Sequence, residues 1–170
     1  AMGSGAGTAL TTGSSNVIIG KNTGVGTLLA GNCVIIGAAA GEGVLTAAAN
    51  GSVLIGYAAG NVLTEGIENT AIGFQALDAA VTSDYCTAVG YNALTSVNAD
   101  GDSINVAVGG NSGYYLTSGT QNVYMGVGSG QHNATGVNNT YIGTYAGYGA
   151  SGVSPAYVLL LFILPITLSI

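Results

Sequence analysis

A five-residue segment ending in an apolar residue plus glycine recurs eight times, and this repeat limits the fold more than any other feature. The copies are Asn16-Val-Ile-Ile-Gly20, Cys33-Val-Ile-Ile-Gly37, Ser52-Val-Leu-Ile-Gly56, Asn69-Thr-Ala-Ile-Gly73, Cys86-Thr-Ala-Val-Gly90, Asn105-Val-Ala-Val-Gly109, Asn122-Val-Tyr-Met-Gly126 and Asn139-Thr-Tyr-Ile-Gly143. Their glycines are 17, 19, 17, 17, 19, 17 and 17 residues apart. Counting from the glycine as position 0, position +3 is always small: Thr23, Ala40, Ala59, Ala76, Ala93, Ser112, Ser129, Ala146. The period is too short for a pair of helices. It fits a β-coil whose turns lie about 4.8 Å apart, so that eight coils make a rod roughly 38 Å long. The two longer coils carry turn-rich insertions near 48–51 and 98–102, expected to bulge from the rod.

Composition supports short strands and tight turns. The 30 glycines are spread along the chain, each costing about 1 kcal/mol against alanine inside a helix. A mean hydropathy of +0.53 argues against disorder, which goes with low hydrophobicity and high charge. The net charge of −6 comes from seven acids against Lys21 alone. With no basic patch, nucleic acid and anionic membrane surfaces are poor partners.

Alternate residues of a strand face opposite ways. Positions −1 and −3 (Ile, Val, Met over Val, Thr) are expected inside the coil. Position −4 is Asn in five copies and Ser or Cys in the rest, a column suited to amide ladders. Position −2 reads Ile18, Ile35, Leu54, Ala71, Ala88, Ala107, Tyr124, Tyr141, with no charged or strongly polar member. A strand apolar on both faces is buried on both, so this column is expected to be the interface of a homotrimer. Cys33 and Cys86 share position −4 three coils apart, roughly 14 Å on the sheet spacing, too far for an intrachain disulfide.

The pattern Gly-x-x-Asn-(Val/Thr)-x-Ile-Gly-x-x-Ala-Gly, as in Gly66-Ile-Glu-Asn-Thr-Ala-Ile-Gly73 and Gly136-Val-Asn-Asn-Thr-Tyr-Ile-Gly143, resembles the head repeats of trimeric autotransporter adhesins and of viral or phage tail fibres. The resemblance covers roughly residues 13–150 and implies a left-handed parallel β-roll, three chains side by side, displayed on a cell or virion surface for attachment. The adhesin repeat is shorter, so the second half of each coil is enlarged here.

Candidate sites are few. Tyr57, Phe74 and Tyr91 follow the glycine in three consecutive coils, as a stabilising ladder or as an exposed platform for sugar rings or another receptor. Tyr114, Tyr115, Tyr145 and Tyr148 cluster late in the chain as a second such surface. Asn98, Asp100 and Asp102 alternate through a glycine-containing turn but lack the later bidentate Glu that calcium sites usually add, so they are a weak metal candidate. His132, alone on a surface segment, has no partner for general-base work, and no cofactor motif is present. Ile72-Gly-Phe-Gln-Ala-Leu77 satisfies the hexapeptide pattern of left-handed β-helix acyltransferases, but that fold needs three hexads per coil and one is present.

The expected protein is therefore not an enzyme but an all-β, parallel β-solenoid of eight 17–19-residue coils, homotrimeric. It would be a structural or adhesive segment of an extracellular fibre on a cell or virion, meeting a surface glycan or protein receptor. Residues 1–12 read as a cloning scar and lead-in, 13–153 as the solenoid, and 154–170 as an apolar cap or docking segment. The apolar run 156–170 falls short of the roughly 20 residues of a spanning helix and is interrupted by Pro165. The alternatives are an acyltransferase-like β-helix and an ice-binding solenoid. An ice-binding face would need an outward Thr column, whereas Thr70, Thr87 and Thr140 are assigned to the inward position −3.

Overall fold

The computed structural model describes residues 1–26, 29–43, 45–46, 49–149 and the strand at 158–160. Each repeat contributes one three-residue strand: β1 (Val17–Ile19), β2 (Val34–Ile36), β3 (Val53–Ile55), β4 (Thr70–Ile72), β5 (Thr87–Val89), β6 (Val106–Val108), β7 (Val123–Met125) and β8 (Thr140–Ile142). A ninth, β9 (Val158–Leu160), follows. They pair in parallel in sequence order, each residue beside its counterpart one repeat away. The result is a parallel β-solenoid with seven turns between β1 and β8. β9 pairs with β8, Tyr141 opposite Leu159, and continues the sheet past the last repeat. The rest of the expected 154–170 segment lies outside the described residues.

Residues 1–12, expected as a lead-in apart from the solenoid, begin inside the stack. Met2 bridges Ile19 in parallel, its N–H donates to Ile18 O at 2.8 Å, and its carbonyl accepts from Gly20 at 2.8 Å.

Backbone hydrogen bonds between coils continue beyond the strands. The position +2 N–H donates to the position +1 carbonyl of the previous coil, as in Gln75 to Tyr57 (2.8 Å) and Asn111 to Tyr91 (2.8 Å). The position +4 N–H donates forward to position +3, as in Gly60 to Ala76 (2.9 Å). The repeat glycine marks a point of close approach. A Cβ on Gly73, whose φ is +141°, would lie 2.3 Å from Gly90 O, so no side chain fits.

The faces of the strand are opposite to the sequence expectation. Position −2 points into the coil: Ile18, Ile35, Leu54, Ala71, Ala88, Ala107, Tyr124 and Tyr141 are all buried within the single chain, Ile35 at 0% exposure. Positions −1 and −3 face out, and none of their side chains is buried. The −2 column is thus the core of the rod and not an open stripe awaiting partner chains.

The reason is visible at position +4, which closes the coil opposite position −2. Where −2 is large, +4 is glycine: a Cβ on Gly60 would lie 2.7 Å from Leu54 Cδ2, and one on Gly130 would lie 2.7 Å from Tyr124 Cδ1. Where −2 is Ala71 or Ala88, position +4 is Leu77 or Leu94, both fully buried. At Gly113, opposite Ala107, the space is taken by Leu94 and Tyr124 from the flanking coils, 2.7 and 2.9 Å from the Cβ position. Leu77 and Leu94 fill this place with φ values of 56° and 49°. A left-handed conformation costs a non-glycine residue about 1–2 kcal/mol. Burying a leucine returns about 1.5–3 kcal/mol and avoids a cavity, so filling the core wins.

A paired exchange tests this packing. Ala71→Leu alone should overpack the coil by about 1–3 kcal/mol, and Leu77→Gly alone should lose stability through the cavity it leaves. Together they should recover most of both losses, a coupling of about 1–3 kcal/mol in denaturant unfolding. Additive losses would mean that the two positions do not share the core.

Candidate functional site

The polar interior is a set of ladders. Position −4 side chains are stitched to the neighbouring coil: Asn122 N–H and Nδ2 both donate to Asn105 Oδ1 at 3.0 Å, and Asn139 repeats the pair on Asn122 Oδ1 at 2.9 and 3.0 Å. Asn69 Nδ2 donates to Ser83 O (2.7 Å), while its Oδ1 accepts from Cys86 N–H (2.8 Å). The amide ladder expected at this position is present. At position +3, the Ser112 and Ser129 hydroxyls donate to Tyr124 O and Tyr141 O at 3.0 and 2.8 Å. These columns are buried, hydrogen-bonded and structural.

The exterior carries the candidate binding groups. Tyr57, Phe74 and Tyr91 come together as a ladder, with ring centroids 5.1 and 5.3 Å apart and planes within 16° and 15°. All three are exposed, at 53%, 42% and 56%. Because the rings stack face to face along the rod, both faces of Phe74 are covered. The ring faces outside the stack are on Tyr57, on the side of Ala38, and on Tyr91, on the side of Gly110. The three rings therefore form a stacked, exposed ridge along the rod.

The later tyrosines also assemble, joined by His132. Tyr115 stacks on His132 (5.0 Å, 25°), Tyr148 meets His132 edge-on (4.7 Å, 80°), and Tyr145 and Tyr114 extend the group edge-on. Sequence reasoning left His132 alone. The signal was available: His132 follows Tyr115 by one 17-residue period.

Asn98, Asp100 and Asp102 are exposed. Asn98 Oδ1 accepts from Val81 N–H (3.3 Å), and Asp100 Oδ1 accepts from the Thr82 hydroxyl (3.0 Å), so both help tie the insertion to the previous coil. Among the described residues no group of three His, Cys, Asp or Glu side chains could hold a metal ion. No helix among them is long and apolar enough to cross a membrane.

Cys33 and Cys86 are free and buried, three coils apart. Burial pushes both thiols above their ordinary value of 9.0, although backbone and side-chain hydrogen bonds act in the other direction. The Tyr124 phenol is pushed up further, first by burial and then by Tyr141, which stacks on it at 5.5 Å. The Asn133 side chain lies beside the Tyr124 hydroxyl without closing a hydrogen bond, leaving Tyr124 Oη and Asn133 Nδ2 unpaired.

Comparison with known protein families, with curated proteins and with solved structures finds no match.

The buried acids set an alkaline limit. A neutral group whose pKa is raised by folding stabilises the fold fully below its unfolded value and loses that contribution as pH rises through the folded one. The melting temperature should fall above pH 9.0, where unfolded thiols ionise, and more steeply above 10.0, where unfolded tyrosines do. Tyr124→Phe should flatten the second part of the fall. An unchanged slope in that variant would mean that the phenol is not held neutral by the core.

Proposed function

We propose that the chain is a structural and adhesive segment of an extracellular or virion surface fibre, assembled as a homotrimer. The observation that carries this reading is the outward face of the sheet. Positions −1 and −3 line it from Val17 and Ile19 to Thr140 and Ile142 with Val, Ile, Thr and one Met, half-exposed and without a charge. The strip is roughly 38 Å long and about 10 Å wide, on the order of 400 Å², at the upper end of what monomers leave in water. Two such strips face to face would bury only about 800 Å² in total, below a stable specific interface. Three chains around an axis also bury the shoulders of each rod, and cyclic symmetry lets one face serve all three. The resemblance of the repeats to adhesin heads and tail fibres supports the same arrangement, left-handed coils included. In this assembly the Tyr57–Phe74–Tyr91 ridge and the His132 cluster offer the aromatic surfaces for a glycan or protein receptor.

Sedimentation tests the assembly. The wild-type chain should run as a trimer. Ile72→Asp, on the outward face, should give folded monomers, because three carboxylates would meet unpaired at a dry interface. Ile35→Asp, in the core, should unfold the chain. A soluble wild-type monomer at micromolar concentration would contradict the proposal.

One observation favours a second reading. Thr70, Thr87 and Thr140 stand on the outward face and not inside the coil, so three of the eight places in that column carry the outward Thr an ice-binding solenoid would need, the other five being Val. Stiff β-branched side chains in two straight, uncharged ranks would order water at an ice surface. Thermal hysteresis in the wild type, lost in Thr87→Lys, is the outcome that reading requires.

A further inference from the structure

We infer that the slot beside Tyr91, above Gly110, is a binding site for one neutral pyranose ring stacked on the outer face of Tyr91. The inference rests on the adhesive reading and names the class of receptor it meets. Position +1 reads Lys21, Ala38, Tyr57, Phe74, Tyr91, Gly110, Val127, Thr144 along the rod. Three consecutive rings fill this column at a spacing of 5.1 and 5.3 Å. The column then drops to glycine for one coil and resumes with Val127, which is 49% exposed.

The gap is built into the backbone ladder. Asn111 N–H donates to Tyr91 O (2.8 Å) and Gly128 N–H donates to Gly110 O (2.9 Å), so Gly110 is the floor between Tyr91 and Val127. Two coils separate these walls, about 9.6 Å on the sheet spacing, which admits one flat ring at the distance already seen between the rungs. The floor is open: a Cβ on Gly110 would meet only Tyr91 O, at 3.9 Å. Gly110 is also not held in the left-handed region, unlike the repeat glycines, so no backbone need explains its lack of a side chain.

Ring chemistry selects the ligand. The exposed face of Tyr91 presents negative π density, which attracts polarised C–H groups. A pyranose offers one apolar C–H face for that ring and a rim of hydroxyls for water and for the amide of adjacent Asn111. No charged residue stands in this column between Lys21 and the chain's end of the slot at Val127, so a neutral sugar fits better than an acidic one.

The test is titration of the full chain with methyl β-D-galactopyranoside, read by saturation-transfer NMR, with sedimentation and circular dichroism on the same samples. Gly110→Tyr supplies the missing rung. It should weaken sugar binding at least tenfold while keeping the spectrum, the melting temperature and the assembly of the wild type. Tyr91→Ala should weaken binding equally. Gly110→Val serves the same purpose with a shorter side chain should the tyrosine perturb the fold. Wild-type binding in the Gly110 variants would overturn the inference, as would no binding by the wild type. Neither outcome touches the fibre reading, which stands or falls on the trimer in the sedimentation profile.

Discussion

The constraint on which the rest of the structure depends is the contact of backbone with backbone between successive coils. At the repeat glycine the carbonyl of the next coil lies where a Cβ would be, 2.3 Å away at Gly73. Any side chain there would force the coils apart and break the hydrogen bonds on either side. Because that contact is made seven times, from Gly20 to Gly126, every residue is placed beside its counterpart one repeat away. Ladders then follow without further instruction: amide on amide at Asn105, Asn122 and Asn139, and ring on ring at Tyr57, Phe74 and Tyr91.

A coil this narrow has room for one inward column per strand. Filling is shared between positions −2 and +4, Leu54 with Gly60, Ala71 with Leu77, Tyr124 with Gly130, and where both are small, at Ala107 and Gly113, Leu94 and Tyr124 of the flanking coils take the space. Such a rod is nearly one-dimensional, each coil stabilised by its two neighbours. β9 pairs in parallel with β8, and Met2 bridges Ile19 of β1.

Much of this was legible in the sequence. The spacing of the glycines predicts the coil, eight of the nine strands and their parallel pairing, and it puts Tyr57, Phe74 and Tyr91 in one column. The direction of the strand faces was not read correctly. Ala71, Ala88 and Ala107 looked like small residues at a close interface, and the branched residues at −1 and −3 looked like core. The sequence did hold the contrary signal, in the alternation of Gly60 with Leu77 against Leu54 with Ala71, but it appears only when two positions of the repeat are compared across coils. The insertion residues Asn98 and Asp100, a weak metal candidate in the sequence, have oxygens that accept hydrogen bonds from Val81 and Thr82.

The orientation of the sheet also decides what the rod can meet: a buried −2 column leaves the −1 and −3 ranks and the aromatic ridge facing out, the surfaces that the proposed function assigns to other chains and to a receptor. Cysteine cross-linking across one strand tests this most directly. In a chain carrying Cys33→Ser and Cys86→Ser, single cysteines at Thr87, Ala88 and Val89 would be oxidised with copper phenanthroline. The account expects interchain disulfides from Thr87→Cys and Val89→Cys, and a thiol at Ala88→Cys that reacts only after unfolding. Cross-linking at position 88 with none at 87 and 89 would contradict it.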